Sequence, residues 1–558
     1  MKRLFSLLMI MMILVGAAKA SDRKESEMRA IAIQQLYGPM TRNGYGDTKI
    51  KLVKKDRYLS VYSADHRGFV VISRDDTFPA ILGMSNSRID DSNLPDGFRW
   101  WLVEVSRSMR ERLETGNWYS RTRSAMAVEP LIETKWNQGT PYNLKCPKIS
   151  EKNCPTGCVA TATAQIMKYY SYPAQGKGIG NYQIDGQAET GEISSVYDWG
   201  NMTNTYSKAQ TELTAETEAV ATLMFDAGVS SGMNYSDKGS ASSLIQCAQG
   251  FVDHFEYDSL SLQFMSRLFY NETEWKGTMI EELVNKRPVL YFGNPEDQST
   301  GHAFIFDGID DNGLVHVNWG WGGNCDGYFD MFILVPGKGA DQDGDYSYYN
   351  QAIIGFNPTN TPDEGTEEHS TWVSDTICSF SIDEADSLVL TARGIFNLSY
   401  RSFRGKLLVT MDHTNGREDD SWSITLYNTE AKDCHPVKSL YGFIFNDDDR
   451  NQYGSEKIIG LANDDIIPGK YIVTLATQAL HEKEPSPIRY YDGIICQYTL
   501  VKDDDGSITI KESIPLSIDH VRNDHRHSCS KVYDLHGQQA SDGMRKGIYI
   551  QNGKKIIR

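Results

Sequence analysis

Between Glu25 and Tyr37, Met28, Ile31, Ile33 and Leu36 fall on one broad face, a spacing that predicts a helix. Tyr58–Tyr62 and Gly68–Ser73 are short, β-branched and aromatic runs joined by a polar turn, and read as paired strands. Helical periodicity returns from Phe98 to Leu113 and then stops in Asn117–Met126, a polar stretch carrying Arg121 and Arg123. That stretch has the composition of an exposed, cuttable linker. Residues 21–125 are therefore expected to form a small α+β unit, and 126–358 the largest unit, mixed α and β. A polar, acidic linker is expected at 359–370. From 371 to 514 short alternating runs such as Lys406–Thr410 and Lys470–Leu475, separated by turn signals, predict a β-sandwich of immunoglobulin-like type. Residues 515–558 hold a few small strands and a basic end.

The length agrees with several units, since 558 residues exceed what one core of about 250–300 residues can bury. Net charge is −18, which argues against a nucleic-acid partner because phosphate binding needs a basic face. The first 20 residues have a basic start at Lys2 and Arg3, an apolar run from Leu4 to Gly16, and the small-x-small pattern Ala18-Lys19-Ala20. They read as an export signal, too short to span a bilayer, and place the protein outside the cell or on its surface. The 9 cysteines are an odd number, so at least one thiol is left to find a role. Cys146 and Cys154 are close enough in sequence to close a short disulfide loop that leaves Cys158 free.

Cys158 follows Pro155-Thr156-Gly157 and opens an Ala-rich, helix-competent run. A thiol at a helix N-terminus meets unpaired N–H groups and the positive end of the dipole, which favour the nucleophilic thiolate. His302 opens an apolar strand behind Gly301, which leaves room beside the ring. A thiolate next to an imidazolium is the activated state of cysteine hydrolases. Asn318 and Trp319, in a run with three glycines, are candidates to orient and shield that imidazole. The Gln138 amide is a candidate oxyanion donor together with the Cys158 N–H. Gln, then Cys at a helix start, then a distant Gly-His strand, then Asn-Trp-Gly is a papain-type order.

WNQGTPYN at 136–143, CPTGCVATATAQIMKYY at 154–170, GHAFIFDG at 301–308 and HVNWGWGG at 316–323 resemble the streptopain family of papain-like cysteine proteases, in its interpain-like Bacteroidetes branch. The resemblance covers roughly Ser21 to Pro358. It implies an α+β, papain-like peptidase preceded by a propeptide, with Cys158 as nucleophile, His302 as base, Gln138 at the oxyanion, and Trp319 with Asn318 supporting the histidine. It further implies that Met233, Tyr235 and Ser240, with Gly301, line the substrate cleft, that Gly337–Asn350 is a loop over it, and that a hydrophobic residue is preferred before the scissile one. The implied partners are protein or peptide substrates, with no cofactor and no metal. The motifs Val532–Gly537 and Gly547–Ile550 resemble a type IX secretion sorting domain, which implies contact with that machinery. Two other readings stay open on sequence alone: a cysteine hydrolase acting on peptidoglycan peptides, and a surface-binding protein with an inert dyad.

Overall fold

The computed structural model describes residues 22–38, 49–89, 94–115, 127–293, 301–331, 350–359, 370, 372–374, 378–392, 395–415, 421–431, 436–439, 455–459, 466–495, 497–512, 532–534, 548–551 and 554–557. The expected leader at 1–20, the cuttable stretch Asn117–Met126, and most of the cleft loop, of the 359–370 linker and of the C-terminal tail lie outside the described residues. The described residues of Met1–Asp258 and Lys276–Asn360 form one compact unit, and those of Ser259–Trp275 and Thr361–Arg558 another. The expected propeptide and peptidase thus share a unit, while a segment expected inside the peptidase clusters with the C-terminal residues. Among the described residues no helix is long and apolar enough to cross a membrane.

In the first unit, strands β1 (Ile50–Lys55), β2 (Leu59–Ala64), β3 (Gly68–Ser73) and β4 (Ile81–Ser85) form a meander, with helices α1 (Glu25–Tyr37) and α2 (Asp96–Thr115) on either side of it in sequence. The apolar face predicted for α1 is used: Met28 and Ala32 pack with Ile50, Tyr62, Val70 and Ile72, and Ile31, Ile33 and Leu36 lie against that cluster. The meander does not end at β4. It continues through β8 (Gly327–Phe329), β7 (Val315–Asn318), β6 (His302–Ile309), β5 (Val289–Gly293) and β9 (Gln351–Ile354), all antiparallel. The junction pairs Met84 with Tyr328 and Gly83 with Phe329. β6 is buried along its whole length, as its continuous apolar run requires, and is packed by both α2 and α3 (Cys158–Tyr170).

Aromatic side chains of α2 secure the junction. Phe98 stacks on Trp101 at 5.9 Å, Trp101 meets Phe329 edge-on at 4.9 Å, and the Trp101 indole N–H donates to the Asp330 carbonyl at 3.3 Å. Burying such rings dominates core energetics, and the buried N–H has its acceptor.

In the second unit, Gly405–His413 pairs with both Trp422–Asn428 and Gly469–Ala479, and Gln497–Lys502 and Ile508–Glu512 extend that sheet. A separate antiparallel sheet joins Ser379–Ile382, Leu388–Ala392 and Ser455–Ile459. Both sheets feed one core that includes Phe380, Leu390, Val409, Tyr471, Leu475 and Leu500, the arrangement of a β-sandwich. The described residues of the C-terminal tail form a three-stranded antiparallel sheet from Val532–Asp534, Ile548–Gln551 and Lys554–Ile557.

A Cβ at Gly83 would stand 2.5 Å from the Phe329 ring and 3.0 Å from that of Trp101. Gly83→Val is expected to cost about 1–3 kcal/mol by overpacking the junction, read as a lower urea midpoint for the full-length chain with an unchanged m-value.

Candidate active site

Gly157 adopts φ +86°, open to glycine at little cost, and its Cα faces a wall: a Cβ would lie 2.7 Å from the Met233 methyl and 3.0 Å from the Ser240 carbonyl. Only a glycine turns the chain here so that α3 can begin on Cys158 itself. Thr161 braces the turn, its N–H at 3.1 Å and its hydroxyl at 3.0 Å from the Gly157 carbonyl. The half-buried Cys158 thiol is pushed up by burial. Hydrogen bonding to His302, the charge of that ring, and N–H groups of Ala303 and Val159 outweigh this and hold it below its usual value.

His302 Nε2 lies 3.0 Å from the Trp319 carbonyl. A carbonyl only accepts, so Nε2 carries the proton and Nδ1 is left for the sulfur. Trp319 is fully buried, with its ring against Phe304 at 4.8 Å and its indole N–H on the Cys325 carbonyl at 3.0 Å. Its backbone N–H donates to the Asp326 carboxylate at 2.9 Å. Behind it, Gly320 N–H donates to Asn318 Oδ1 at 3.0 Å, and Asn318 Nδ2 donates to the Thr134 carbonyl at 2.9 Å. Gln138 enters through its backbone: its carbonyl accepts from Thr156 N–H at 3.0 Å, two residues before the cysteine.

The structure brings together Cys158, His302 and Trp319, with Gln138 tied to the approach to the helix. The other sequence candidates lie around them. Asn318 does not orient the ring directly; its side chain folds back over its own turn, and the acceptor at Nε2 is the Trp319 carbonyl one residue on. Tyr235 is not a cleft residue. It is fully buried against α4 (Ala215–Ser230), where a Cβ at Gly228 would strike its hydroxyl, and that hydroxyl faces the Cys146 thiol. Met233 and Ser240 back the Gly157 turn, and the Ser240 hydroxyl donates to the Pro155 carbonyl at 2.7 Å. Gly301 packs under the Phe292 ring beside His302. Cys146 and Cys154 are buried free thiols and not a disulfide, with the Cys146 thiol pushed up to about 12 by burial.

Sequence reasoning passed over Gln165 and Asp326, which are polar, inward-facing neighbours of this site. Gln165 was hidden within an Ala-rich helical run, and its one signal was an amide on the apolar side of α3.

Residues of α2 lie against the same histidine. A Cβ at Gly97 would stand 2.5 Å from His302 Cδ2 and 2.7 Å from the Trp319 ring. Phe98 meets Trp319 edge-on at 6.0 Å, and Trp100 lies 5.9 Å from Phe304.

Residues 136–329 match the model of the Peptidase C10 family. Streptopain from Streptococcus pyogenes is 30% identical over 375 residues, 61% of this chain and 92% of that protein. The thiol protease/hemagglutinin PrtT of Porphyromonas gingivalis is 29% identical over 461 residues, 76% of this chain and 52% of that one. A solved prointerpain A fragment from Prevotella intermedia is similar with a TM-score of 0.50 at 31% identity, covering 56% of this chain and 100% of the fragment.

Two carboxyls, the buried Asp226 and the half-buried Asp326, set a pH dependence. Burial pushes Asp226, which accepts from the Tyr197 hydroxyl at 3.0 Å, up to about 6, and Asp326 up to about 7, from an ordinary 3.8. Between these values the folded chain keeps protons that the unfolded chain has released, so their contribution to stability declines as pH rises from about 4 to about 7 and then levels off. Urea midpoints across that range, compared between the parent and Asp226→Asn, are expected to show the parent losing ground to the variant as pH rises.

Proposed function

The chain belongs to the Peptidase C10 family and is a cysteine protease, and on that premise we propose that Cys158 is its nucleophile and His302 its general base. The observation that carries this reading is the Cys158 thiol, held below its usual value by a hydrogen bond to an imidazole whose other nitrogen is fixed on the Trp319 carbonyl. The thiolate attacks the peptide carbonyl. The Cys158 N–H at the head of α3 and the Gln138 amide hold the oxyanion. His302 gives its proton to the departing amine and then takes one from the water that releases the acyl group.

Four finer readings accompany it. Residues 21–125 keep the enzyme latent, supported by α2 lying against His302 and Trp319, and cleavage within Asn117–Met126 releases them. The apolar Met233 beside Gly157 supports a preference for a hydrophobic residue before the scissile one. The leader exports the protein, and the C-terminal sheet serves a sorting machinery, both supported by sequence pattern.

Cys158→Ala is expected to lower kcat/KM on a casein-derived peptide by roughly 10⁴-fold or more, and Gln138→Ala to lower kcat by about 10²–10³. Undiminished proteolysis by Cys158→Ala would reject the assignment. Full-length protein is expected to cleave the peptide far more slowly than protein trimmed within Asn117–Met126, and Gly97→Leu, which forces α2 off the histidine, to narrow that gap. Equal rates before and after trimming would reject latency.

A further inference from the structure

We propose that Gln165 is a positioning residue, which sets the base and the oxyanion donor in register with the helix that carries the nucleophile. The inference rests on the reading of Cys158, His302 and Gln138 given above.

Gln165 lies two turns along α3 from Cys158 and is fully buried. Its carbonyl oxygen accepts from the Thr134 hydroxyl at 3.0 Å, the Trp136 N–H at 3.2 Å and Asn318 Nδ2 at 3.3 Å. Its Nε2 donates to Asn318 Oδ1 at 3.2 Å. One side chain therefore joins three parts of the chain that are distant in sequence: the nucleophile helix, the segment leading to Gln138, and the turn leading to Trp319.

The route to the imidazole is continuous. His302 Nε2–H is bonded to the Trp319 carbonyl, whose peptide partner is the Gly320 N–H. That N–H is bonded to Asn318 Oδ1, and Asn318 Oδ1 is bonded to Gln165 Nε2. The 319–320 peptide polarises as one unit, so the N–H bond to Asn318 Oδ1 strengthens its carbonyl as the acceptor at Nε2; Gln165 holds both ends of the Asn318 amide, and its Oε1, accepting from Asn318 Nδ2, strengthens that Oδ1 in turn. The route to the oxyanion is shorter: Gln165 fixes Trp136 N–H, and Trp136 in turn accepts from Gly322 N–H at 2.9 Å, stitching the Gln138 segment to the Trp-Gly turn. A side chain that only filled the core would need none of this directionality.

The test uses Gln165→Met, which keeps length and volume but has no amide, and Gln165→Glu, nearly the same shape with one donor lost when ionised. Parent and variants are expressed as the full-length chain and trimmed alike within Asn117–Met126. For Gln165→Met, kcat is expected to fall on the order of 10–100-fold with KM changed little, at temperatures where circular dichroism shows the protein folded, because a small misplacement far from the chemistry is costly. For Gln165→Glu, the ratio of its kcat to the parent's is expected to fall as pH rises. The neutral carboxyl supplies one donor and one acceptor, and the ionised one only acceptors. A folded Gln165→Met with parental kcat would overturn the proposal. If that variant does not fold, a Gln165→Glu ratio that stays constant with pH overturns it instead. Activity surviving in Cys158→Ala would sink the reading of the site itself, whereas loss there with parental kcat in Gln165→Met sinks only this inference.

Discussion

The site depends on a hydrogen bond to a backbone carbonyl. His302 presents Nδ1 to the sulfur because Nε2–H is held by Trp319 C=O at 3.0 Å. A carboxylate or amide side chain in that place could rotate to follow the ring. A peptide carbonyl cannot; its direction is set by the plane of the 319–320 peptide. Precision at the His302 ring is therefore handed to whatever holds the turn from Asn318 to Gly320, and this turn is bonded on several sides, through Asn318 Oδ1, Asn318 Nδ2 and the Asp326 carboxylate. The ring of Trp319 adds the dry surroundings in which such bonds count for most.

The same strands that carry this turn also dock the N-terminal segment. β8, which would otherwise be an exposed edge, is paired with β4, so the N-terminal meander and the strand that carries His302 share a continuous sheet. Ser87 adds a hydroxyl bond to the Gly323 carbonyl at 2.8 Å, and Ser85 one to the Asp326 carbonyl. Edge pairing satisfies backbone groups that solvent alone would otherwise meet, and it brings α2 onto the histidine with its glycine at the point of contact. A junction built from main-chain bonds and a cluster of Phe and Trp rings is directional as well as apolar.

Much of this was legible in the sequence, and for identifiable reasons. The α1 and α2 periodicities and the strands at Gly68–Ser73 and from His302 followed from apolar spacing, and Cys158 at the head of α3 followed from Pro155 and Gly157. Long-range geometry was not legible. The sheet crossing from β4 to β8 depends on edge pairing between segments far apart, which no local pattern encodes. Asn318 was the natural orienter by residue type, yet its backbone turn bends the side chain back on itself. Tyr235 shares a motif with cleft residues but alternates inward on its short strand and packs on α4. Proximity of Cys146 and Cys154 in sequence did not pair them, since the Cys146 thiol is directed at Tyr235.

Why a buried pair of amides, Gln165 and Asn318, should sit at the centre of the peptidase core follows from what the core must do there. Two apolar side chains of equal volume would pack at least as favourably, since a buried polar pair gains little net stability over a well-packed apolar one. Apolar contacts, however, have no preferred direction, and would leave the turn free to twist about the strand that feeds it. The amides accept and donate along fixed axes, and each leaves an expensive unmet group if its partner shifts. A small displacement of the turn is thereby penalised steeply, and the carbonyl it carries stays on the imidazole. The polar interior here is a cost in packing accepted for aim, and on the proposed reading of Cys158 and His302 that aim serves the reacting groups.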